Sequence, residues 1–141
     1  MQRVTTPQLD QDDYEALANF RYAMRKFLGF SRRALKTEAQ LTPEQYEALL
    51  ALKAFSSKTG LTIGQLSERL QVKHHTAVSL VNRMEEVGLV RREPNEEDRR
   101  QVFVRMTPKG SQILDQVAIL HRQEIRLRSP EMIEALTRLR E

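Results

Sequence analysis

Cysteine is absent from the 141-residue chain, which excludes disulfides, thiolate metal sites and thiol redox sensing and fits a reducing compartment. Glycine and proline are scarce, at five each, so a collagen-like or low-complexity chain is excluded as well. No apolar run approaches the roughly 18 residues that a membrane-spanning helix needs, and no signal-peptide core follows the N-terminus. There is no repeat with a period of about 20 to 50 residues. Also missing are a nucleophile with an orienting base, a phosphate-cradling glycine loop and a complete metal set. The expectation is a cytoplasmic protein that is not an enzyme, has no catalytic residues, carries no cofactor and has no membrane partner.

What is present is 40% apolar and 30% charged residues with a net charge of +4. That composition reads as a soluble, mostly helical chain, a single domain over 1–141 with one core, and it tilts the choice of partner toward a polyanion.

Asp10 to Asp13 offers acidic helix-start chemistry, and Tyr14, Leu17, Met24, Phe27, Leu28 and Leu35 recur at largely helical spacing. They predict a first helix over 12–36. Its apolar breadth calls for more than one neighbour, and a dimer partner is a candidate. Thr42, Pro43 and Gln45 form a compact start signal for a second helix over 43–55. Ser56 to Gly60 reads as a loop, after which Thr62 and Gln65 repeat the capping-box pattern and start a third helix over 63–70.

Three residues later Ala77, Leu80, Val81, Met84 and Val87 predict a fourth helix closed near Gly88. Leu89 to Glu93 and Val102 to Met106 alternate apolar with charged residues around Pro94, Asn95 and Asp98, the pattern of a hairpin with a solvated tip. Thr107 and Pro108 start a fifth helix, with an interruption expected at Ser129 and Pro130 and a short last helix over 131–140.

On the fourth helix, at 100° per residue, Ala77, Leu80, Val81 and Met84 share one side. His75, Ser79, Asn82 and Glu86 fall opposite, flanked by Val78 and Arg83. Histidine, serine and asparagine bond base edges or phosphates, and valine touches a thymine methyl. Alone, such a helix is more simply the polar side of a surface element. A short helix, a tight turn, a second helix and a charged hairpin together form the order of a winged helix-turn-helix, which favours DNA. The candidate contacts are His74, His75, Thr76, Val78, Ser79, Asn82 and Arg83 on the recognition helix, and Asp98, Arg99 and Arg100 on the wing.

The hairpin's charge is mixed, Arg91, Arg92, Arg99, Arg100, Arg105 and Lys109 being offset by Glu93, Glu96, Glu97 and Asp98. A tip arginine suits a narrow minor groove, and local ion pairing is the plainer alternative for any one charge. The rival function is a winged-helix protein-interaction module that binds no DNA. A metal is not expected: His74 and His75 point about 100° apart, and His121 with Glu124 lacks a third ligand.

Between Leu61 and Gly110 the chain resembles the MarR family of bacterial and archaeal transcription regulators. The resemblance is carried by the helix-turn-helix, the phrase VGLVRR entering the wing, the D-x-R element of Asp98 and Arg100, and MTPKG before the fifth helix. It implies a mainly α fold with a small β-hairpin wing. A DNA-binding module over 43–106 would be flanked by dimerisation helices over 12–36 and 108–141. It further implies a homodimeric repressor on a pseudo-palindromic operator, released by a small aromatic or phenolic effector. Asp98 would fix the wing and Arg100 would enter the minor groove. The chain departs from the family at Ser79, where many members carry arginine, at Met106, a common leucine position, and in a final helix that reads as short. The family's peroxide-sensing mechanism uses a cysteine that this chain lacks.

Overall fold

Two threonines set two of the helix starts in the central part of the chain. Thr42 Oγ1 accepts the Gln45 backbone N–H (3.2 Å) while Gln45 Oε1 accepts that of Thr42 (3.0 Å). Thr62 and Gln65 do the same at 3.1 and 2.9 Å. These reciprocal bonds satisfy amides that a helix N-terminus otherwise leaves without partners.

The computed structural model describes residues 8–56 and 60–141. Its elements are α1 (Gln11–Ala39), α2 (Pro43–Phe55), β1 (Leu61–Thr62), α3 (Ile63–Leu70), α4 (His74–Glu86), β2 (Val90–Pro94), β3 (Val102–Met106) and α5 (Pro108–Arg140). The expected loop from Ser56 to Gly60 falls largely outside the described residues. Packing divides the chain into two compact units, one running from Arg32 to Leu120 and the other made of the parts before and after it.

In the central unit the strands form an antiparallel sheet in the order β1-β3-β2. Val104 of β3 lies between Leu61 of β1 and Arg92 of β2. Strand β1 was not expected from the sequence, because two residues are too few to display an alternating pattern. The core gathers Leu35, Leu49, Leu66, Val81, Met84, Val104, Leu114 and Val117, all fully buried. Each such side chain contributes roughly 1.5 to 3 kcal/mol through removal from water.

Helix α4 closes as expected at Gly88, which takes φ +78°. Its left-handed backbone lets Leu89 N–H bond Met84 O at 2.9 Å. Next to this turn lies the start of α5. Thr107 Oγ1 donates to Gly88 O (2.6 Å) and accepts from Gly110 N–H (3.1 Å). Lys109 Nζ donates to Val87 O at 2.8 Å. The TPKG phrase is therefore a joint that ties the base of the hairpin to α5.

In the other unit Ala16, Ala23 and Ala135 are buried. Ser31 Oγ and His121 Nε2 share a buried hydrogen bond of 2.7 Å, and the rings of Phe27 and Phe30 meet the imidazole edge-on. Lys26 pairs with Glu131 at 3.3 Å and Arg138 with Asp12 at 3.4 Å.

The break expected at Ser129 and Pro130 does not occur, and no separate last helix exists. Proline 130 has no N–H to give the carbonyl of Arg126, and Ser129 Oγ donates to that carbonyl instead, at 3.2 Å. α5 therefore runs on to Arg140. Helix α1 likewise exceeds the expected bounds, ending at Ala39 before Gln40 turns left-handed.

Partial burial, and then the charge of Glu44, push the carboxyl of Glu47 above its ordinary range. Its ionisation therefore opposes folding. Wild type is relatively most stable where Glu47 is protonated in both states, below about pH 4, and loses that advantage as pH rises through the elevated folded value. Glu47→Gln is expected to melt like wild type near pH 4 and slightly higher near pH 7. The gain should stay under about 0.5 kcal/mol, because the site lies near solvent. Thermal melts across pH check it, and a variant that is less stable at pH 7 would contradict the sign.

Candidate nucleic-acid interface

Helix α4 buries Ala77, Val81 and Met84 against the core, which turns the opposite side outward. His74, His75, Thr76, Ser79, Asn82 and Arg83 are exposed, and Val78 is half-buried at the edge of the face. The expected polar face is thus present residue by residue. At its start, Lys73 occupies the N-cap position without a side-chain cap bond, and the first turn holds no acidic residue. Unlike α2 and α3, α4 keeps its terminal amides uncapped by a side chain, and the positive end of the helix dipole is not offset.

The hairpin tip is built by Asn95. Its Oδ1 accepts the backbone N–H groups of Glu97 (3.0 Å) and Asp98 (3.3 Å), and its Nδ2 donates to Gln101 Oε1 at 3.1 Å. The backbone closes across the same residues, with Asn95 N–H to Gln101 O and Gln101 N–H to Asp98 O. Asp98 Oδ1 then accepts from both the backbone N–H (3.1 Å) and Nε (3.2 Å) of Arg100. The Arg100 side chain remains 91% exposed. Arg99 is exposed as well and forms no ion pair among the described residues.

Two other arginines of the hairpin have structural partners. Arg105 pairs with Glu93 across the strands. Arg92 donates through Nη2 to Asn82 Oδ1, and its backbone N–H donates to Glu85 Oε2 at 2.9 Å. The structure therefore separates arginines that stitch the wing from Arg99 and Arg100 at its tip. It also brings Asn82 into contact with the wing, and it sets His74 and Arg100 on the rim of one small cleft of about 170 Å³.

By sequence Asn95 was read only as part of the polar tip and Arg92 only as one of the hairpin's charges, and Gln101 and Glu85 were not singled out. For Asn95 a signal existed, since a Pro-Asn pair ahead of polar residues favours a turn in which the Asn side chain caps backbone amides. For Arg92 and Glu85 none did, because their meeting depends on the angle between helix and hairpin. His121 and Glu124, weighed as metal ligands, have other partners, Ser31 and Arg128 respectively. Among the described residues no cluster of three acidic or histidine side chains is placed to hold a metal ion. No described helix is long and apolar enough to cross a membrane.

Comparison with known proteins adds a family to this geometry. A model of the MarR family matches residues 39–101. A transcriptional activatory protein of Rhodopseudomonas palustris, BadR, is 35% identical over 86 residues, 61% of this chain and 49% of that protein. The chain spans about half to two thirds of the length of the first curated relatives that it matches. The crystal structure of AbsC, a MarR family transcriptional regulator from Streptomyces coelicolor, superposes with a TM-score of 0.77 at 26% identity, covering 95% of this chain and 90% of that one. A second MarR family regulator from the same organism, solved in complex with DNA, shares the fold with a TM-score of 0.77 at 23% identity, covering 96% and 87%. In its central sequence and in its winged fold, this chain is similar to the MarR family.

Proposed function

We propose that the protein is a homodimeric transcriptional regulator that binds duplex DNA by sequence. Each subunit would set the exposed face of α4 in a major groove and the tip of its wing in the adjacent minor groove. The observation that carries this reading is the pairing of an outward polar helix face with an exposed tip arginine, Arg100, held by Asp98. Similarity to a family of transcription regulators supports it.

A dimer accounts for apolar surface that one chain leaves bare. In the terminal unit Tyr14, Tyr22, Leu28, Leu127, Ile133 and Leu136 are exposed, Leu127 by 75%. Such surface favours a symmetric partner. Two winged modules about one DNA turn apart, roughly 34 Å, then read the halves of a pseudo-palindrome.

The regulatory sign proposed is repression by occupancy of the operator. The Rhodopseudomonas palustris relative carries an activator's name, so the position of the operator relative to the promoter decides the sign. A small aromatic or phenolic effector that releases DNA completes the proposal, on the strength of the family resemblance.

Fluorescence anisotropy with a random duplex at several salt concentrations tests the core claim. Log affinity should fall linearly with log salt as phosphate contacts release counterions. An absence of salt-sensitive binding would favour the protein-interaction module instead. Light scattering at micromolar concentration should give a mass near twice 16.4 kDa, and a monomer's mass would remove the dimer.

A further inference from the structure

Asn82 lies toward the C-terminal end of the recognition face, and one end of its amide is already engaged. Arg92, on the first strand of the wing, donates through Nη2 to Asn82 Oδ1. Glu85, three residues further along α4, anchors Arg92 twice, through the backbone bond of 2.9 Å and through an ion pair with Oε1 3.7 Å from Nη1. A guanidinium has donors and no acceptor. The amide atom that faces it is therefore the oxygen, whichever way the amide is first drawn. That orientation leaves Nδ2, with its two hydrogens, as the end of Asn82 presented outward.

Asparagine recognises adenine by using both ends at once, donating to N7 and accepting from the N6 amino group. With its oxygen turned to Arg92, Asn82 offers only the donating half. We propose that Arg92, held by Glu85, is a positioning residue that makes Asn82 a donor-only reader of DNA. Asn82 then bonds a hydrogen-bond acceptor, either a phosphate oxygen or the N7/O6 edge of guanine, and does not select adenine. The proposal rests on the DNA-binding function set out above and deepens it by assigning the chemistry of one contact.

The test is selection from a duplex pool with a randomised central region, using full-length wild type, Asn82→Ala, Arg92→Met, Arg92→Lys and the Arg92→Met/Asn82→Ala double variant. All are run at one salt concentration, and the retained DNA is sequenced. Asn82→Ala should not lower the adenine frequency of wild type at any position. Arg92→Met frees the amide and should enrich adenine about tenfold at one position per half-site, as expected for a bidentate contact. The double variant should lose that enrichment. Arg92→Lys should keep the wild-type pattern, because an ammonium also offers only donors.

A guanine preference that disappears in Asn82→Ala identifies the base edge as the acceptor, and a uniform loss across sequences identifies the phosphate; both agree with the proposal. An adenine preference of wild type that vanishes in Asn82→Ala overturns it while DNA binding stands. So does a folded Arg92→Met, checked by circular dichroism, whose adenine frequencies do not change. The wild-type comparison needs no substitution at Arg92, so it decides even if Arg92→Met fails to fold. If wild type retains no duplex, the DNA-binding reading falls and this proposal falls with it.

Discussion

Gly110→Ala is expected to lower stability by about 3 kcal/mol or more, a larger loss than overpacking usually causes. Gly110 lies in the first turn of α5, directly against the entry to the wing. A Cβ built there would stand 2.2 Å from Leu89 O and 3.1 Å from its carbonyl carbon, and Met106 Cγ closes the remaining side at 3.1 Å. The clash is with backbone, which cannot swing aside as a flexible side chain would. Leu89 O is also fixed in place, since it accepts the Thr107 backbone N–H at 3.0 Å. Relief would require α5 to move away from the hairpin, breaking the Thr107 and Lys109 bonds to Gly88 O and Val87 O. Gly88→Ala provides the contrast. There the added carbon meets only Lys109 side-chain atoms, at 3.7 and 3.8 Å, and the loss comes from the left-handed backbone, roughly 1 kcal/mol. Urea unfolding followed by circular dichroism ranks the two. A Gly110→Ala loss no greater than that of Gly88→Ala would contradict the close approach.

This joint also shows where the sequence was legible and where it was not. Capping boxes at Thr42 and Thr62 were readable because both partners lie three residues apart and no tertiary contact is needed to bring them together. The buried and exposed sides of α4 followed from period alone, and Gly88 announced its own turn. Pro130 misled, because the rule that proline breaks a helix assumes a carbonyl left without a donor. Ser129 Oγ supplies one to Arg126. Strand β1 pairs Leu61 with Val104, a match set by the fold of the unit and invisible in two residues. The candidate contacts of the recognition face were read as one equivalent set, yet Asn82 shares a bond with the wing and His75 and Ser79 do not. Local rules give each side chain a direction; they do not say which neighbour the chain returns to meet it.

Arg100→Ala is expected to weaken operator binding by roughly 1 to 3 kcal/mol, the range for a good specific contact, with the melting temperature unchanged. The stability part follows from exposure: with the Arg100 side chain 91% exposed, its pair with Asp98 adds little to folding. The binding part follows from how the pair is made. Asp98 Oδ1 engages the backbone N–H and Nε of Arg100, so the guanidinium is held through Nε. Fixing the side chain before DNA arrives reduces the rotamer entropy lost on binding. A narrow A/T-rich minor groove, with its strongly negative potential, then rewards insertion through shape rather than through a base code. Arg99 has no such brace, so Arg99→Ala should cost less and should cost the same on every sequence, as a backbone contact does. Asp98→Ala should fall between them, since it keeps the charge and loses the aim. The measurement is an anisotropy titration of wild type and the three variants against operators with A/T or G/C flanks, at one fixed salt concentration. Arg100→Ala should reduce the preference for A/T flanks and Arg99→Ala should preserve it. Equal losses for Arg99→Ala and Arg100→Ala on both flanks would mean that the wing acts as diffuse positive charge, and the brace from Asp98 would then have no part in recognition.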